Sequence, residues 1–318
     1  MDIGAGITFG NGVSVTKQPP PSQKAIFGYG TNGNGSSGTG VSITNLVTNT
    51  GVVGNDVTGV GTARLLLAAA GYGTDKAIFG YGDTGSGTWV SMTNKVSNTG
   101  VVATDTTGVG QARSRLAAAG YGTDKAIFGY GYGSGAGGPN FSLTNLVSNT
   151  GVVATNTSGV GTGRRNIAAS GYGTDKAIFG YGFDGSNYVS ITNKVSNTGV
   201  VASDTTGVGT ARQGLAAAGY GSDKAIFGYG EDSNSTLVSI SNLVSNTGVV
   251  ATDTTGVGTA RLELAAASYG VDTAIFGYGG NTLRSMTNLV TNTGIVGNDV
   301  TGVGTARSGL AAASYGYA

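Results

Sequence analysis

Short stretches rich in β-forming residues recur along the chain, separated by turns of Gly, Asn, Asp and Thr. One unit reads "LAAAGYG", "KAIFGYG", "VSITNLVSNTG" and a stretch around "VVATDT", and each of these has the length of a strand. In the third stretch, alternate residues of 41–47 share one face. The intervening Leu46 is replaced by Lys95 and Lys194 in other copies, so we expect this position to face water. The pattern predicts four strands in each unit.

The alanines of "LAAAGYG" could also begin a helix. Three residues with Gly a few positions away are too short for a stable helix, and small side chains suit an inner strand that is crowded by its neighbours. We therefore expect an almost entirely β structure with no helix longer than a turn or two.

The unit occurs six times, and its copies differ in length at one place. Successive Phe residues of "AIFGYG" are 52, 49, 51, 48 and 49 residues apart; they are Phe27, Phe79, Phe128, Phe179, Phe227 and Phe276. From the Thr or Ser that opens "TNLVSNTG" to the next Phe, the distance is 35 residues every time. One loop, between the second and third strands, therefore absorbs every insertion, as expected for a rigid unit with a free surface loop.

Four strands in each of six units favour a propeller over a solenoid. The chain enters the repeat at a second strand, at Lys24, and leaves it after a first strand, at 310–316. Pairing of these two strands would hide both edges in one composite blade. The predicted fold is all-β: a six-bladed propeller of four-stranded antiparallel blades over residues 24–318. The C-terminal inner strand closes it on the N-terminal three strands, and Phe and Tyr pack between blades.

The passage from "GTAR" through "LAAA" to "KAIFGYG" resembles the kelch repeat, in which an Arg precedes the inner strand and a hydrophobic second strand ends in glycine. The resemblance covers Lys24 to Gly316. The kelch double glycine is Gly-Tyr-Gly here, and the usual later Trp is absent from the repeat. The resemblance implies the kelch-like propeller fold and no particular partner.

Composition removes several classes of function. The 17 basic and 16 acidic residues are balanced, which argues against a nucleic-acid partner or an anionic lipid surface. The chain has no His and no Cys, so it has no Ser-His-Asp triad, no thiolate nucleophile and no zinc site of the usual type. We expect no metal, no cofactor, no membrane span and no signal peptide.

Each repeat carries one Arg before its inner strand. These residues are Arg64, Arg113, Arg164, Arg212, Arg261 and Arg307. In a propeller they are expected to ring the mouth of the axial channel. One interpretation is an anion site of six guanidinium groups, and the other is six local contacts to carboxylates and carbonyls that hold neighbouring blades. Five repeats have an Asp eight residues earlier and the third has Asn156, and sixfold repetition favours the structural interpretation.

The variable loops connect second to third strands, which places them on the same face as the Arg-bearing connections. Their aromatic side chains are suited to stacking on sugar rings, and their polar side chains to bonding hydroxyls. The candidate binding residues are Trp89, Tyr132, Phe183, Asp184, Tyr188, Glu231 and Asp232. The alternative is that these loops vary because nothing constrains them.

Hydrolysis is a further alternative. The stretch from Asp83 to Trp89 resembles the Asp box of sialidase-like propellers, with one residue too many and in a single copy. Asp83 with Asp184, or Glu231 with Asp232, are the carboxylate pairs that a glycosidase would use, but residues on different loops do not fix the separation this chemistry needs. No loop reproduces the ligand spacing of a calcium site.

Residues 1–23 lie outside the repeat and form a predicted leader. Ile7, Phe9, Val13 and Val15 alternate as in a strand, and the prolines of 19–21 predict a stiff spacer. The leader is either disordered or an anchor that pairs with a sheet edge of another protein. The start "GAGITFGNG" is similar to leaders of structural proteins of marine tailed phages.

Together these features predict a non-enzymatic, virion-associated binding module. Its variable loops would face a host receptor or surface glycan, and its leader would bind other virion or assembly proteins. The expected location is the virion, assembled in the host cytoplasm. The alternatives are a purely architectural protein of a phage particle or other assembly, and a propeller glycoside hydrolase.

Overall fold

A computed structural model describes residues 7–9, 13–15, 23–33, 39–85, 87–133 and 138–317. Within these ranges the secondary structure is strand, turn and bend, with no helix, which confirms the predicted all-β class. A search of the same residues for a helix long and apolar enough to span a membrane finds none.

The leader contains two strands, β1 (Ile7–Phe9) and β2 (Val13–Val15), which pair antiparallel with each other. The alternating pattern thus predicted strand correctly, but residues 7–9 and 13–15 form two paired strands rather than one extended strand. The predicted proline spacer at 19–21 lies outside the described residues.

The repeat region forms six three-stranded antiparallel sheets among the described residues, which we number along the chain. Sheet 1 contains β3 (Gln23–Gly28), β4 (Thr44–Val47) and the last strand of the chain, β22 (Ala311–Tyr317). Sheet 2 contains β5 (Ala68–Tyr72), β6 (Lys76–Gly80) and β7 (Thr93–Val96). Sheet 3 contains β8 (Ala117–Tyr121), β9 (Lys125–Gly129) and β10 (Thr144–Val147).

The remaining three sheets have the same order of strands. Sheet 4 contains β11 (Ala168–Tyr172), β12 (Lys176–Gly180) and β13 (Thr192–Val195). Sheet 5 contains β15 (Ala216–Tyr220), β16 (Lys224–Gly228) and β18 (Ser241–Val244). Sheet 6 contains β19 (Ala265–Tyr269), β20 (Thr273–Gly279) and β21 (Arg284–Val290). A small ribbon of β14 (Arg212–Gln213) and β17 (Glu231–Asp232) joins two connections of sheet 5.

The predicted fourth strand of each unit is not a regular strand. After β4 the chain touches that strand through two isolated bridges, Val47 to Val53 and Thr44 to Val57, and the same pair of bridges recurs in the other five sheets. Between the bridges, the side-chain amide of Asn45 donates to the Gly54 carbonyl (3.0 Å). Isolated backbone bonds, such as Gly54 N–H to the Leu46 carbonyl (2.8 Å), also join this segment to β4. Each sheet therefore has three strands and an edge segment held by isolated backbone bonds and one buried asparagine.

Neighbouring sheets pack through one Tyr and one Phe of "AIFGYG", as predicted. Tyr29 of sheet 1 lies against Phe79 of sheet 2 with ring centroids 5.1 Å apart. The same contact joins each later sheet to the next, and Tyr278 of sheet 6 lies against Phe27 of sheet 1 at 5.1 Å. All of these rings are buried, so the repeated motif builds the interface between sheets.

The glycine after each Phe is required by this packing. A Cβ built on Gly129 would lie 2.7 Å from Cζ of Phe179 in the next sheet, closer than side chains approach. The following tyrosine has a left-handed backbone (Tyr130 φ 65°) and donates its hydroxyl to the Val160 carbonyl (3.2 Å). Gly-Tyr-Gly therefore combines a close approach with a turn that buries the tyrosine.

Backbone hydrogen bonds also link the hairpins between first and second strands. Gly73 N–H of sheet 2 donates to the Asp124 carbonyl of sheet 3 (2.7 Å), and equivalent bonds link each sheet to the next. Gly316, at the end of β22, donates to the Asp75 carbonyl (2.7 Å). The first strands of the six sheets contact each other in the same cyclic order and line a cavity of about 420 Å³ with Ala, Gly and Ser. The prediction that the small residues of "LAAAGYG" lie on a strand crowded by its neighbours is thus confirmed.

Candidate functional site

The variable loops lie beside the connections that follow the six arginines. Asp83 bridges to Leu65, Tyr132 to Ser114, Phe183 to Arg165 and Thr31 to Ser308. Loop and Arg connection therefore share one end of the strands, as the sequence predicted. We call this end the variable face.

The arginines that precede the first strands are buried, at 0% or 1% exposure. Arg164 is representative: its Nε donates to the Tyr181 carbonyl (3.0 Å), its Nη2 to Asn193 Oδ1 (2.6 Å), and its guanidinium lies 4.7 Å from the ring centroid of Tyr130 in the preceding sheet. The arginines therefore do not form an open anion site at a channel mouth. Their contacts fit the interpretation that the sequence favoured, in which each arginine holds neighbouring sheets together. The guanidinium groups are buried beneath the surface at the sheet interfaces, where aromatic faces, backbone carbonyls and amide oxygens contact them.

Five of the six arginines face a carboxylate, and Arg113 has Asn156 at the equivalent position. The Asp eight residues before an Arg is not its partner. Arg64 instead faces Asp105, further along the chain (3.4 Å), and Arg307 faces Asp56 (3.7 Å). Burial would raise the pKa of Asp105, but hydrogen bonds from Thr62 and Asn94 outweigh it and lower that pKa below its ordinary value. The contact ties the connection before the first strand to the edge segment of the same sheet.

On the variable face, four aromatic side chains and one arginine form a continuous row. The rings of Trp89 and Tyr132 lie 5.0 Å apart, and those of Phe183 and Tyr188 lie 5.6 Å apart, edge to face. The guanidinium of Arg165 lies between the two pairs, 4.4 Å from the Tyr132 centroid and 4.8 Å from that of Phe183. We call these five residues the aromatic row. All five are partly exposed, so the row is a surface and not a core.

A network of polar side chains borders the aromatic row. Tyr188 donates its hydroxyl to Glu231 Oε2 (3.2 Å), and Gln213 Nε2 donates to both the Tyr188 oxygen (3.0 Å) and Glu231 Oε2 (3.1 Å). Asn166 Nδ2 donates to Gln213 Oε1 (2.8 Å), and Arg115 Nη1 donates to Asn166 Oδ1 (3.0 Å). The network holds Tyr188, and the side chains of Gln213, Asn166 and Arg115 beside it, in fixed positions.

The row and the network enclose a cavity of about 370 Å³. It is lined by Arg115, Tyr132, Arg165, Asn166, Phe183, Tyr188 and Gln213. Of the predicted binding residues, the structure brings Trp89, Tyr132, Phe183, Tyr188 and Glu231 together in the row and the polar network that borders it. Asp184 and Asp232 bind their own loops, to Ser186 N (2.7 Å) and Asn234 N (2.9 Å) respectively.

The residues at the centre of this face are not among the candidates predicted from the sequence. A closed cycle of six backbone hydrogen bonds, 2.6–3.0 Å long, links one residue from each repeat. The residues are Leu66, Arg115, Asn166, Gly214, Glu263 and Gly309, and each has a φ between 52° and 63°. The sequence does contain a sign of this cycle. The two positions between the repeated Arg and the following Leu or Ile vary in residue type although their number is constant.

Two side chains of this central cycle form an ion pair. Arg115 Nη1 lies 3.6 Å from Glu263 Oε1. Burial raises the pKa of Glu263, with Arg115 acting in the opposite direction, and burial lowers the pKa of Arg115. The charge of Arg115 is thus partly balanced inside the site.

The carboxylates considered for hydrolysis are engaged in local hydrogen bonds. Asp83 accepts from Trp89 Nε1 (3.0 Å) and from Gly85 N (2.8 Å), which makes the stretch that resembles an Asp box a closed turn. Glu231 accepts from Tyr188 and Gln213, and Asp232 closes its own loop. A search of the described residues for three or more clustered metal-ligating acidic side chains finds none.

At the opposite ends of the strands, each sheet exposes one apolar residue in the turn after its third strand. These are Val52, Val101, Val152, Val200, Val249 and Ile295, each between 61% and 66% exposed. The turn after β10 contacts the hairpin of its own sheet, since Asn149 Nδ2 donates to Asp124 Oδ2 (3.1 Å). We call this end the regular face, because its residues barely change from one repeat to the next.

Comparison of the chain with protein-family models and with curated proteins finds no match. The resemblances to kelch repeats and to phage structural proteins therefore remain predictions.

Proposed function

We propose that the six sheets are the blades of a closed, six-bladed kelch-like propeller. Three sets of contacts support this architecture: the Tyr–Phe pairs, the hairpin hydrogen bonds and the central cycle. Each set continues from sheet 6 through sheet 1, or through Gly309 just before β22, to sheet 2. The side-chain cluster of Arg307, Asn45 and Asp56 joins residues more than 200 positions apart at the same place (Arg307 Nη2 to Asn45 Oδ1, 2.7 Å).

On this scaffold we propose a non-enzymatic binding module that presents its variable face to a surface glycan or receptor. The aromatic row is the observation that carries the proposal. Its rings come from three successive variable loops and remain partly exposed beside a cavity with fixed amide and hydroxyl groups. Aromatic faces beside oriented polar groups are the usual composition of a site that stacks on a sugar ring and bonds its hydroxyls.

A glycan array probed with the intact protein and with Trp89→Ala and Tyr188→Ala variants tests this proposal. Binding by the intact protein and its loss in both variants, at unchanged melting temperature, would support it. Val249→Ala on the regular face is the matched control and should bind as the intact protein does. Binding that both row variants retain would contradict the proposed site.

A purely architectural role is the second candidate, and the regular face is the observation that favours it. Six equivalent apolar side chains exposed around one face offer the same contact six times, as a packing surface in a larger assembly would. Purification of the native assembly separates the candidates. An architectural component is stoichiometric with its particle and retains its place there when added glycans saturate the solution.

We further propose that the protein is a virion component anchored by its leader. The β1–β2 pair supports this: among the described residues neither strand pairs with any other, and a two-stranded ribbon can extend the edge of a neighbouring sheet. Removal of residues 1–20 should then abolish incorporation into the particle at an unchanged melting temperature. Normal incorporation of the shortened protein would assign attachment to the six sheets instead.

A further inference from the structure

We propose that the cavity beside the aromatic row binds an acidic sugar, with its carboxylate on Arg165. This inference deepens the proposed function and rests on it. It starts from the hydrogen bonds that the cavity residues make to each other, and from the residue that those bonds leave out.

Most polar side chains of the cavity already bind one another. Asn166 accepts from Arg115 and donates to Gln213, and the Gln213 amide group also donates to Tyr188. Arg115 has a carboxylate partner in Glu263, at 3.6 Å. These groups shape the floor, and their hydrogen-bonding capacity is largely used within the protein.

Arg165 differs from them. Within the described part of the chain its side chain makes neither an ion pair nor a hydrogen bond, and its contacts are the faces of Tyr132 and Phe183. Two rings on either side fix the plane of the guanidinium while leaving its edge of N–H donors for a ligand. A fixed, planar set of donors matches a carboxylate, which accepts two parallel hydrogen bonds.

The nearby carboxylates of Glu263 and Asp83 act on Arg115, whereas Arg165 has no carboxylate partner among the described residues. Arg115 lies close enough to Arg165 that their like charges repel, and that repulsion adds to burial in lowering the pKa of Arg115. The carboxylate of Glu231 accepts hydrogen bonds from Tyr188 and Gln213, at the end of the row that Tyr188 forms. A sugar whose carboxylate binds Arg165 can therefore stack its ring on the aromatic row, which favours an acidic sugar over an acidic peptide.

Calorimetric titration of the full chain with uronic and sialic acids, and with their neutral methyl esters, tests the inference. We expect each bound acid to lose roughly tenfold or more in affinity on esterification, the size of a charge-assisted contact. Arg165→Gln should remove the preference for the acid and leave the affinity for the ester unchanged. Arg165→Lys keeps the charge and should retain part of the preference. Arg284→Gln, which removes an exposed charge of sheet 6, should change neither affinity.

The outcomes separate this inference from the proposed function. Equal affinities for acid and ester, or a preference that Arg165→Gln retains, would overturn the role of Arg165 while leaving glycan binding by the row intact. Absence of binding to every neutral and acidic sugar would overturn both. Binding of an acidic peptide in place of any sugar, with dependence on Arg165, would also overturn the inference and assign the cavity to a protein partner.

Discussion

At the scale of single residues, the buried Tyr and Arg of each interface depend on each other. The tyrosine ring supports the next guanidinium, and the tyrosine hydroxyl donates to a backbone carbonyl, as in Tyr130 with Arg164 and Val160. Burial raises the pKa of five of these tyrosines to about 12; they are Tyr29, Tyr130, Tyr181, Tyr229 and Tyr278.

These raised pKa values predict alkaline unfolding. A tyrosine whose pKa is higher in the folded state than its ordinary value of about 10 stabilises the fold below pH 10, and that contribution is lost as pH rises to about 12. Circular dichroism and tyrosinate absorbance, followed together, should show unfolding and ionisation in that interval. Tyr130→Phe should make the pH dependence shallower. Ionisation of all tyrosines near pH 10 with the fold intact would contradict this prediction.

Sheet 3 offers a second test, because Asn156 replaces the usual Asp there. Arg113 Nη2 and Asn145 Oδ1 have no hydrogen-bond partner, whereas the equivalent atoms bind each other at 2.6 Å in Arg164 and Asn193. Asn156→Asp would give the buried Arg113 a carboxylate partner. We expect a gain of about 1 kcal/mol in the free energy of unfolding by denaturant titration. Asp105→Asn in sheet 2 should cost a similar amount, and no effect of either change would contradict the role assigned to the carboxylate.

At the scale of elements, the residues of each second strand are constrained by packing against the next sheet as much as by pairing within their own sheet. Gly129 lies where the ring of Phe179 enters, so the motif "AIFGYG" encodes an interface and not only a strand. This explains why the motif appears in every repeat while the loops that follow it differ.

Gly129→Ala tests this interpretation. The added Cβ would lie 2.7 Å from the Phe179 ring, and the resulting shift should cost about 1–3 kcal/mol of unfolding free energy. Gly120→Ala is the control, because a Cβ there would lie no closer than 3.4 Å to any atom. Similar stabilities for both variants, measured by denaturant unfolding, would show that the approach of the ring does not constrain position 129.

The sequence predicted the first three strands of each unit because their apolar residues recur at constant spacing. It did not predict the edge segment correctly, because only isolated bridges and the side chain of Asn45 join that segment to β4. The carboxylate partner of each Arg could not be predicted either. The Asp eight residues before an Arg and the Asp about 40 residues after it, such as Asp105 for Arg64, recur with equal regularity in the sequence. The aromatic row lies on separate loops, and loop sequences do not fix distances between neighbours.

At the scale of the whole molecule, the last strand completes sheet 1 and joins both ends of the repeat region. β22 pairs with β3 along its length, with Ala313 opposite Ile26 and Tyr315 opposite Lys24. Deleting residues 310–318 removes this strand and uncovers both neighbouring sheets, which should cost several kcal/mol, on the order of two or three buried side chains. The melting temperature of the entire repeat region should fall in one cooperative transition. Equal melting temperatures for the full and shortened chains would contradict this closure.

For the whole molecule, we propose that the variable face binds a ligand and that the six sheets hold the loops of this face in position. Replacing the other five variable loops with the shortest one, "GNTL" of residues 280–283, and measuring glycan and host-cell binding together with the melting temperature tests this most directly. We expect binding to disappear and the melting temperature to stay within a few degrees of its original value. Binding that persists without the loops would contradict this proposal.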